Sequence, residues 1–275
     1  MGSDRSASAF RGQGGLSRLL DIVRRLRDPE SGCPWDIEQT FASIAPHTIE
    51  EAYEVADAID RQAWEELEDE LGDLLLQTVY HSAIGEDEGL FDLDTVADRA
   101  SAKMVSRHPH VFGGGAGVRN ADQQIREWEA VKAAERATKG ARGVLDDVAI
   151  GMPALLRALK LQKRAARVGF DWPDTTSVIA KIGEEAHELT EARASGDPAK
   201  VFGEFGDLLF SVVNLARHLD IDPEAALRSA NVKFTRRFQA MEAKLAESGR
   251  HVQDSDPVEM DALWNEVKAS DAASH

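Results

Sequence analysis

The sequence predicts an all-α protein built as a tandem repeat of two helical domains. Three observations carry this. Apolar residues recur at three- and four-residue spacing along most of the chain, and no stretch shows the two-residue alternation of a strand. Only 9 prolines and 21 glycines among 275 residues leave room for long helices. An acidic pattern is written twice at a constant offset of 134 positions from Glu50 to Leu75: Glu50-Glu51-x-x-Glu54 with Glu70-x-Gly-Asp73, then Glu184-Glu185-x-x-Glu188 with Glu204-x-Gly-Asp207.

In chain order, residues 1–14 are rich in Ser, Gly, Ala and Arg and read as a disordered tail. An N-terminal domain is expected over 15–138. Leu16, Leu19, Leu20, Val23 and Leu26 give the first helix, and Gly32-Cys33-Pro34-Trp35-Asp36 an ordered loop. Trp35 reads as a core or pocket-wall residue, and Cys33 as a structural cysteine. The first acidic helix is expected after Pro46-His47-Thr48, running to Ile59 with Ile49, Ala52, Val55, Ala56 and Ile59 inward. The second runs from Ala63 to Ile84 with Leu67, Leu71, Leu74, Leu75 and Val79 inward. A connection this short makes the two antiparallel neighbours. Gly72 and Gly206 sit inside helices at a cost of about 1 kcal/mol against alanine, so a bare backbone for close helix contact is expected there. Gly85 to Gly89 reads as a turn. A helix from Leu93 to Ser106 carries Lys103 and Arg107, and one from Asp122 to Thr138 carries Trp128 and Lys132.

Residues 139–153 read as a linker and 154–270 as the second domain. A basic helix over 154–168 leads to Gly169-Phe170-Asp171-Trp172-Pro173. Asp174 caps the helix bearing Glu184, Glu185 and Glu188. The helix from Ala199 to Leu219 bears Glu204 and Asp207. Asp222-Pro223 starts a helix to Glu247 with Lys233 and Arg237. Ser255-Asp256-Pro257 starts the last helix, to Lys268, with Trp264 and Lys268. Each half therefore repeats one programme: acidic helix, acidic helix, Lys-x-x-x-Arg, Trp-x-x-x-Lys.

Residues three or four apart share a helix face, so two antiparallel acidic helices aim four carboxylates at one point. Such a set repels itself unless cations neutralise it, and all-oxygen donors suit magnesium or manganese. Nearby Lys and Arg suit phosphate. Glu185, Glu188, Glu204 and Asp207 are the expected ligands of the second half, with Glu184 a fifth ligand or a base. Lys233, Arg237, Trp264 and Lys268 are candidates for the substrate. No Ser, Cys or His is placed as a covalent nucleophile, so water is the simpler one. The first half offers a possible second site from Glu51, Glu54, Glu70, Asp73, Lys103, Arg107, Trp128 and Lys132.

The formal net charge of −17, from 49 acidic and 32 basic residues, argues against binding DNA or RNA. There is no membrane-length apolar run and no signal-peptide core. The single cysteine excludes an intrachain disulfide and fits a reducing, cytoplasmic setting.

The repeated acidic motifs, together with Gly32-Cys-Pro-Trp-Asp36, Arg107-His-Pro-His-Val-Phe112, Asn214-Leu-Ala-Arg-His218 and Lys233-Phe-x-Arg-Arg-Phe238, resemble the MazG family of nucleoside triphosphate pyrophosphohydrolases in its long, two-domain bacterial form. The similarity covers about residues 15–270. It implies MazG-like modules of four-helix-bundle type completed by dimerisation, as a homodimer. It also implies magnesium-dependent attack of water on the α-phosphorus of ribo- and deoxynucleoside triphosphates, giving monophosphate and pyrophosphate. By the same resemblance the second half is the principal catalyst, Glu185, Glu188, Glu204 and Asp207 hold metal, and Lys233, Arg237, Trp264 and Lys268 contact substrate. Nucleotide-pool cleaning and modulation of the starvation response are the implied roles. Phe41 stands where the family commonly places histidine in the first half, and the shape of the 108–117 loop is a second candidate reason for a silent first half. Two other classes compete: a di-iron helical oxidase, for which Glu184-Glu185-Ala-His187 supplies one Glu-x-x-His, and a non-catalytic structural or regulatory helical protein.

Overall fold

The computed structural model describes residues 14–113, 120, 124, 131 and 143–273. The chain divides at 131/132 into two compact units. Apart from residues 124 and 131, the expected helix over 122–138, with Trp128 and Lys132, lies outside the described residues, as does the tail to residue 13. All regular structure among the described residues is helical, and none of those helices is long and apolar enough to cross a membrane.

The first unit holds α1 (Gly15–Leu26), α2 (Pro34–Glu38), α3 (Phe41–Asp60), α4 (Trp64–Asp87), α5 (Leu93–Arg107) and α6 (Pro109–Phe112). The second holds α7 (Ala154–Ala166), α8 (Thr175–Ser195), α9 (Pro198–His218), α10 (Pro223–Glu247), a 3₁₀ turn Val252–Asp254 and α11 (Pro257–Ala273). Each unit is organised on one acidic hairpin, α3 with α4 and α8 with α9. The repeat extends to the packing. Ile44 and Val178, Ala58 and Ala192, and Val79 and Val213 stand at the same offset, and all six are buried.

Local chemistry explains the boundaries. Asp174, Asp197 and Asp222 each accept a backbone N–H as the caps of α8, α9 and α10. Helix α3 starts five residues before Pro46 rather than after Thr48. Thr40 and Ser43 form a reciprocal capping box that nucleates it there, and Pro46 is carried inside. Helix α4 runs on to Asp87, past the turn expected at Gly85. Gly85 is buried against Phe91, where an added Cβ would sit 2.6 Å from Phe91 Cε2. The turn falls at Gly89, in the left-handed region at φ 66°.

Other expectations are corrected. A Cβ at Gly72 or Gly206 meets nothing within 4 Å among the described residues, so neither glycine serves a close contact with them. Trp35 is 55% exposed and is not a core residue. Ile49, Ile59, Leu71 and Leu75 are also exposed, as are Phe205 and Leu209. The hairpins bury a narrower stripe than their apolar patterning predicts. Within residues 143–153, Val148 is buried and Asp146 accepts a hydrogen bond from Arg164 on its carbonyl.

Candidate active site

The carboxylates converge in both hairpins. One oxygen each from Glu185, Glu188 and Glu204 lies within 4.8 Å of the others, as do oxygens of Glu51, Glu70 and Asp73. The spacing on α8 puts Glu185 and Glu188 one turn apart, and α9 runs back beside them with Glu204 in its second turn. Glu185 is buried, while Glu188 and Glu204 are half-buried. Asp207, one turn beyond Glu204, lies outside that trio and lines a cavity with Lys181 and Glu185. In the first unit it is Glu54 that stands beside the trio, close enough to act on Glu51 and Glu70.

Crowding shows in the electrostatics. Burial pushes the Glu188 carboxyl above its ordinary range; Lys181 opposes this, and Glu185, Glu184 and Glu204 add to it. In the first unit burial raises Glu51, reinforced by Asp73, Glu54 and Glu70, and burial raises Glu70, reinforced by Glu54 and Asp73. Carboxylates that penalise one another this way form a donor set for a hard cation. A buried Glu185 beside two half-buried carboxylates fits a divalent metal well.

Lys181 escaped the sequence reading. Its Nζ lies 2.8 Å from Glu184 Oε1 and 2.8 Å from Glu185 Oε1. The two carboxylates raise its pKa, so it stays charged. The repeat hid it, because His47 occupies the equivalent position and lies 3.5 Å from Glu50. Glu184 is exposed and bound to Lys181, which suits charge balance better than a ligand role.

The cavity has a volume of about 550 Å³. Phe170, Trp172 and Phe210 contribute aromatic wall, and Gln162, Asn214 and Arg217 the polar part. Asp171 anchors one side: Arg217 grips its carboxylate, and His218 Nε2 lies 3.1 Å from Asp171 Oδ1. Burial works against the Asp171 carboxylate, but Arg217 outweighs it and holds the pKa below the ordinary range.

The basic and aromatic candidates gather elsewhere, on α10 and α11. Arg237 Nε donates to Asp271 Oδ2 at 2.9 Å, and Arg236 shares that carboxylate. Trp264 packs on Phe234 with ring centroids 5.3 Å apart. Lys233 and Lys268 are exposed. None of Lys233, Arg237, Trp264 and Lys268 lines the cavity. In the first unit Lys103 is exposed on α5 and Arg107 half-buried at its end, outside the carboxylate trio.

This geometry removes the di-iron reading. His187 is 74% exposed and pairs with Glu191, and neither carboxylate trio includes a histidine among the described residues.

Each half of the chain matches a pyrophosphohydrolase family model. A model of the MazG nucleotide pyrophosphohydrolase domain matches residues 39–112, and one of phosphoribosyl-ATP pyrophosphohydrolase matches residues 153–233. The nucleoside triphosphate pyrophosphohydrolase of Escherichia coli (strain K12) is 48% identical over 255 residues, covering 92% of this chain and 97% of the relative.

The chain belongs to the MazG family of nucleotide pyrophosphohydrolases.

A Thermotoga maritima relative, named nucleoside triphosphate pyrophosphohydrolase/pyrophosphatase MazG, is 41% identical over 93% of this chain and 96% of its own length. A Mycobacterium tuberculosis nucleoside triphosphate pyrophosphohydrolase is 32% identical over 85% of this chain and 61% of its own. As a MazG-family member the chain is an enzyme, a nucleoside triphosphate pyrophosphohydrolase.

Proposed function

We propose that the second unit hydrolyses nucleoside triphosphates, ribo and deoxy, at the α-phosphorus. Water adds to that phosphorus, the bond to the bridging oxygen of the β-phosphate breaks, and nucleoside monophosphate and pyrophosphate leave. The observation that carries this reading is the convergence of Glu185, Glu188 and Glu204 at a hairpin that also walls a ligand-sized cavity.

Glu185, Glu188, Glu204 and Asp207 would hold magnesium, or manganese in its place. Such an ion supplies charge neutralisation at the phosphates and makes water a better nucleophile at neutral pH. The residues do the rest. Lys181 holds Glu184 and Glu185 in place and brings a positive charge to where negative charge builds on the phosphates. Lys233, Arg237, Trp264 and Lys268 serve the phosphates and the nucleoside from the α10–α11 hairpin, Arg237 after release from Asp271. The exposed apolar faces of the acidic hairpins suit a homodimer that closes the bundles. A reducing cytoplasm suits the lone Cys33, which is free.

The test is a panel of nucleoside triphosphates with magnesium, read for pyrophosphate against single phosphate. Phosphoribosyl-ATP belongs on the panel because the model matching residues 153–233 describes that substrate. Pyrophosphate with monophosphate is expected; release of single phosphate, or no turnover, overturns the reading.

A further inference from the structure

Gln162 poses a specific question. It lies on α7 and is 7% exposed. Its Nε2 donates to the Phe210 carbonyl at 2.8 Å, which fixes the orientation of the amide. Its Oε1 is buried and accepts from no group among the described residues. Gln162 lines the cavity that Glu185 and Asp207 also line. A buried amide acceptor without a partner is costly, and such groups in native folds are commonly matched by a ligand or by water.

The chemistry of the cavity narrows the ligand group. Phosphate oxygens at neutral pH only accept hydrogen bonds, so Oε1 repels them. Phe170, Trp172 and Phe210 give the same cavity aromatic wall. Flat π-faces and one amide acceptor suit a heterocycle with an N–H on its edge. Phe210 lies three residues after Asp207 on α9, so Gln162 grips that helix one turn from the carboxylates. A nucleotide with its phosphates at the carboxylates would have its base within reach of this wall.

We infer that Gln162 reads the nucleobase, its Oε1 accepting an N–H from the base edge. This deepens the proposed hydrolysis of nucleoside triphosphates and rests on it. Every common base carries at least one such N–H, so Gln162 admits several bases while rejecting edges that lack the donor.

The experiment pairs each triphosphate with an analogue lacking the donor: ATP with purine riboside triphosphate, CTP with its 4-deamino analogue, and UTP with 3-methyl-UTP. The wild-type full-length chain is expected to favour the parent of at least one pair by about tenfold in kcat/KM. Gln162→Met is expected to bring that ratio close to one. Thermal melting checks that the variant folds, and the wild-type pairs stand alone if it does not. Equal rates for all wild-type pairs, or an unchanged ratio in a folded variant, overturn the inference; water or the sugar then satisfies Oε1. Absence of pyrophosphate from every triphosphate is a different result and overturns the underlying reaction instead.

Discussion

The two halves share a carboxylate cluster and differ in what stands beside it. Helices α4 and α9 are unbroken, so the offset of 134 carries past Leu75 and pairs Tyr80 with Asn214, Leu76 with Phe210 and Ala83 with Arg217. Asn214, Phe210 and Arg217 line a cavity. Tyr80 is buried in a core cluster with Val23, Ile44, Val79 and Ile84, and its hydroxyl donates to Asp36 Oδ1 at 2.8 Å. Phe41 packs against that cluster and stacks on His81 at 5.9 Å. On the hairpin's other helix the charged Lys181 is replaced by His47. A duplicated acidic site is thus compatible with unequal chemistry, because the carboxylates set where a cation can sit and their neighbours set whether a substrate fits.

The comparison breaks most plainly on the carboxylates. Glu185→Ala with Glu188→Ala removes two of the converging donors of the second unit, and turnover is expected to fall by at least about a hundredfold. Glu51→Ala with Glu54→Ala should leave turnover within about twofold. Steady-state pyrophosphate release on both double variants checks this, and the reverse pattern would assign the chemistry to the first half.

A smaller loss is expected from carrying the first half's residue into the second. Asn214→Tyr puts a phenol on the cavity wall while leaving the carboxylates in place. KM for nucleoside triphosphates should rise at least about tenfold, which corresponds to about 1.4 kcal/mol. Isothermal titration with magnesium alone should be unchanged, which separates lost space from lost metal.

These contrasts also mark what the sequence could reveal. The hairpins and the meeting of the acidic faces were legible, because a repeated Glu-Glu-x-x-Glu at helical spacing has one geometric consequence. Asp174 and Asp222 announced their helices by residue type. Lys181 was invisible because repeat logic looks for sameness, and it differs from His47. Gln162 was invisible because an amide on a basic helix carries no signal until tertiary packing buries it. Trp35 failed in the opposite direction: its size suggested burial, and the short helix α2 turns it outward. The start of α3 was misplaced because Pro46 outweighed Thr40 and Ser43, although a capping box three to six residues upstream leaves the proline inside the helix.

Electrostatics supplies a gentler contrast. A carboxyl whose pKa is raised in the folded chain favours folding on the acid side of the ordinary glutamate range and loses that contribution as pH rises through the raised value. Glu51 and Glu70 are both raised in the first half; in the second Glu188 is raised against the opposition of Lys181. In chelator at pH 7, Glu51→Gln with Glu70→Gln should therefore raise Tm more than Glu188→Gln does. Both gains should vanish on the acid side of the glutamate range, where the parent carboxyls are protonated. Melting curves across pH with and without magnesium test this, and a larger gain from Glu188→Gln would reverse the order of crowding.

The smallest effect tests where the halves look alike. Gly72 and Gly206 lie inside α4 and α9, and an added methyl at either meets nothing within 4 Å. Replacing glycine by alanine in an open helical position stabilises by about 0.5–1 kcal/mol, through helix propensity and a less flexible unfolded chain. Gly72→Ala and Gly206→Ala should each bring that gain in a denaturant midpoint if the face is open in solution. A loss at either position would mean either that a second copy presses on that face or that the methyl strains the hairpin. Concentration dependence of the midpoint separates the two: a loss that grows with protein concentration assigns the glycine to the contact between two copies, and one that does not assigns it to strain within the hairpin.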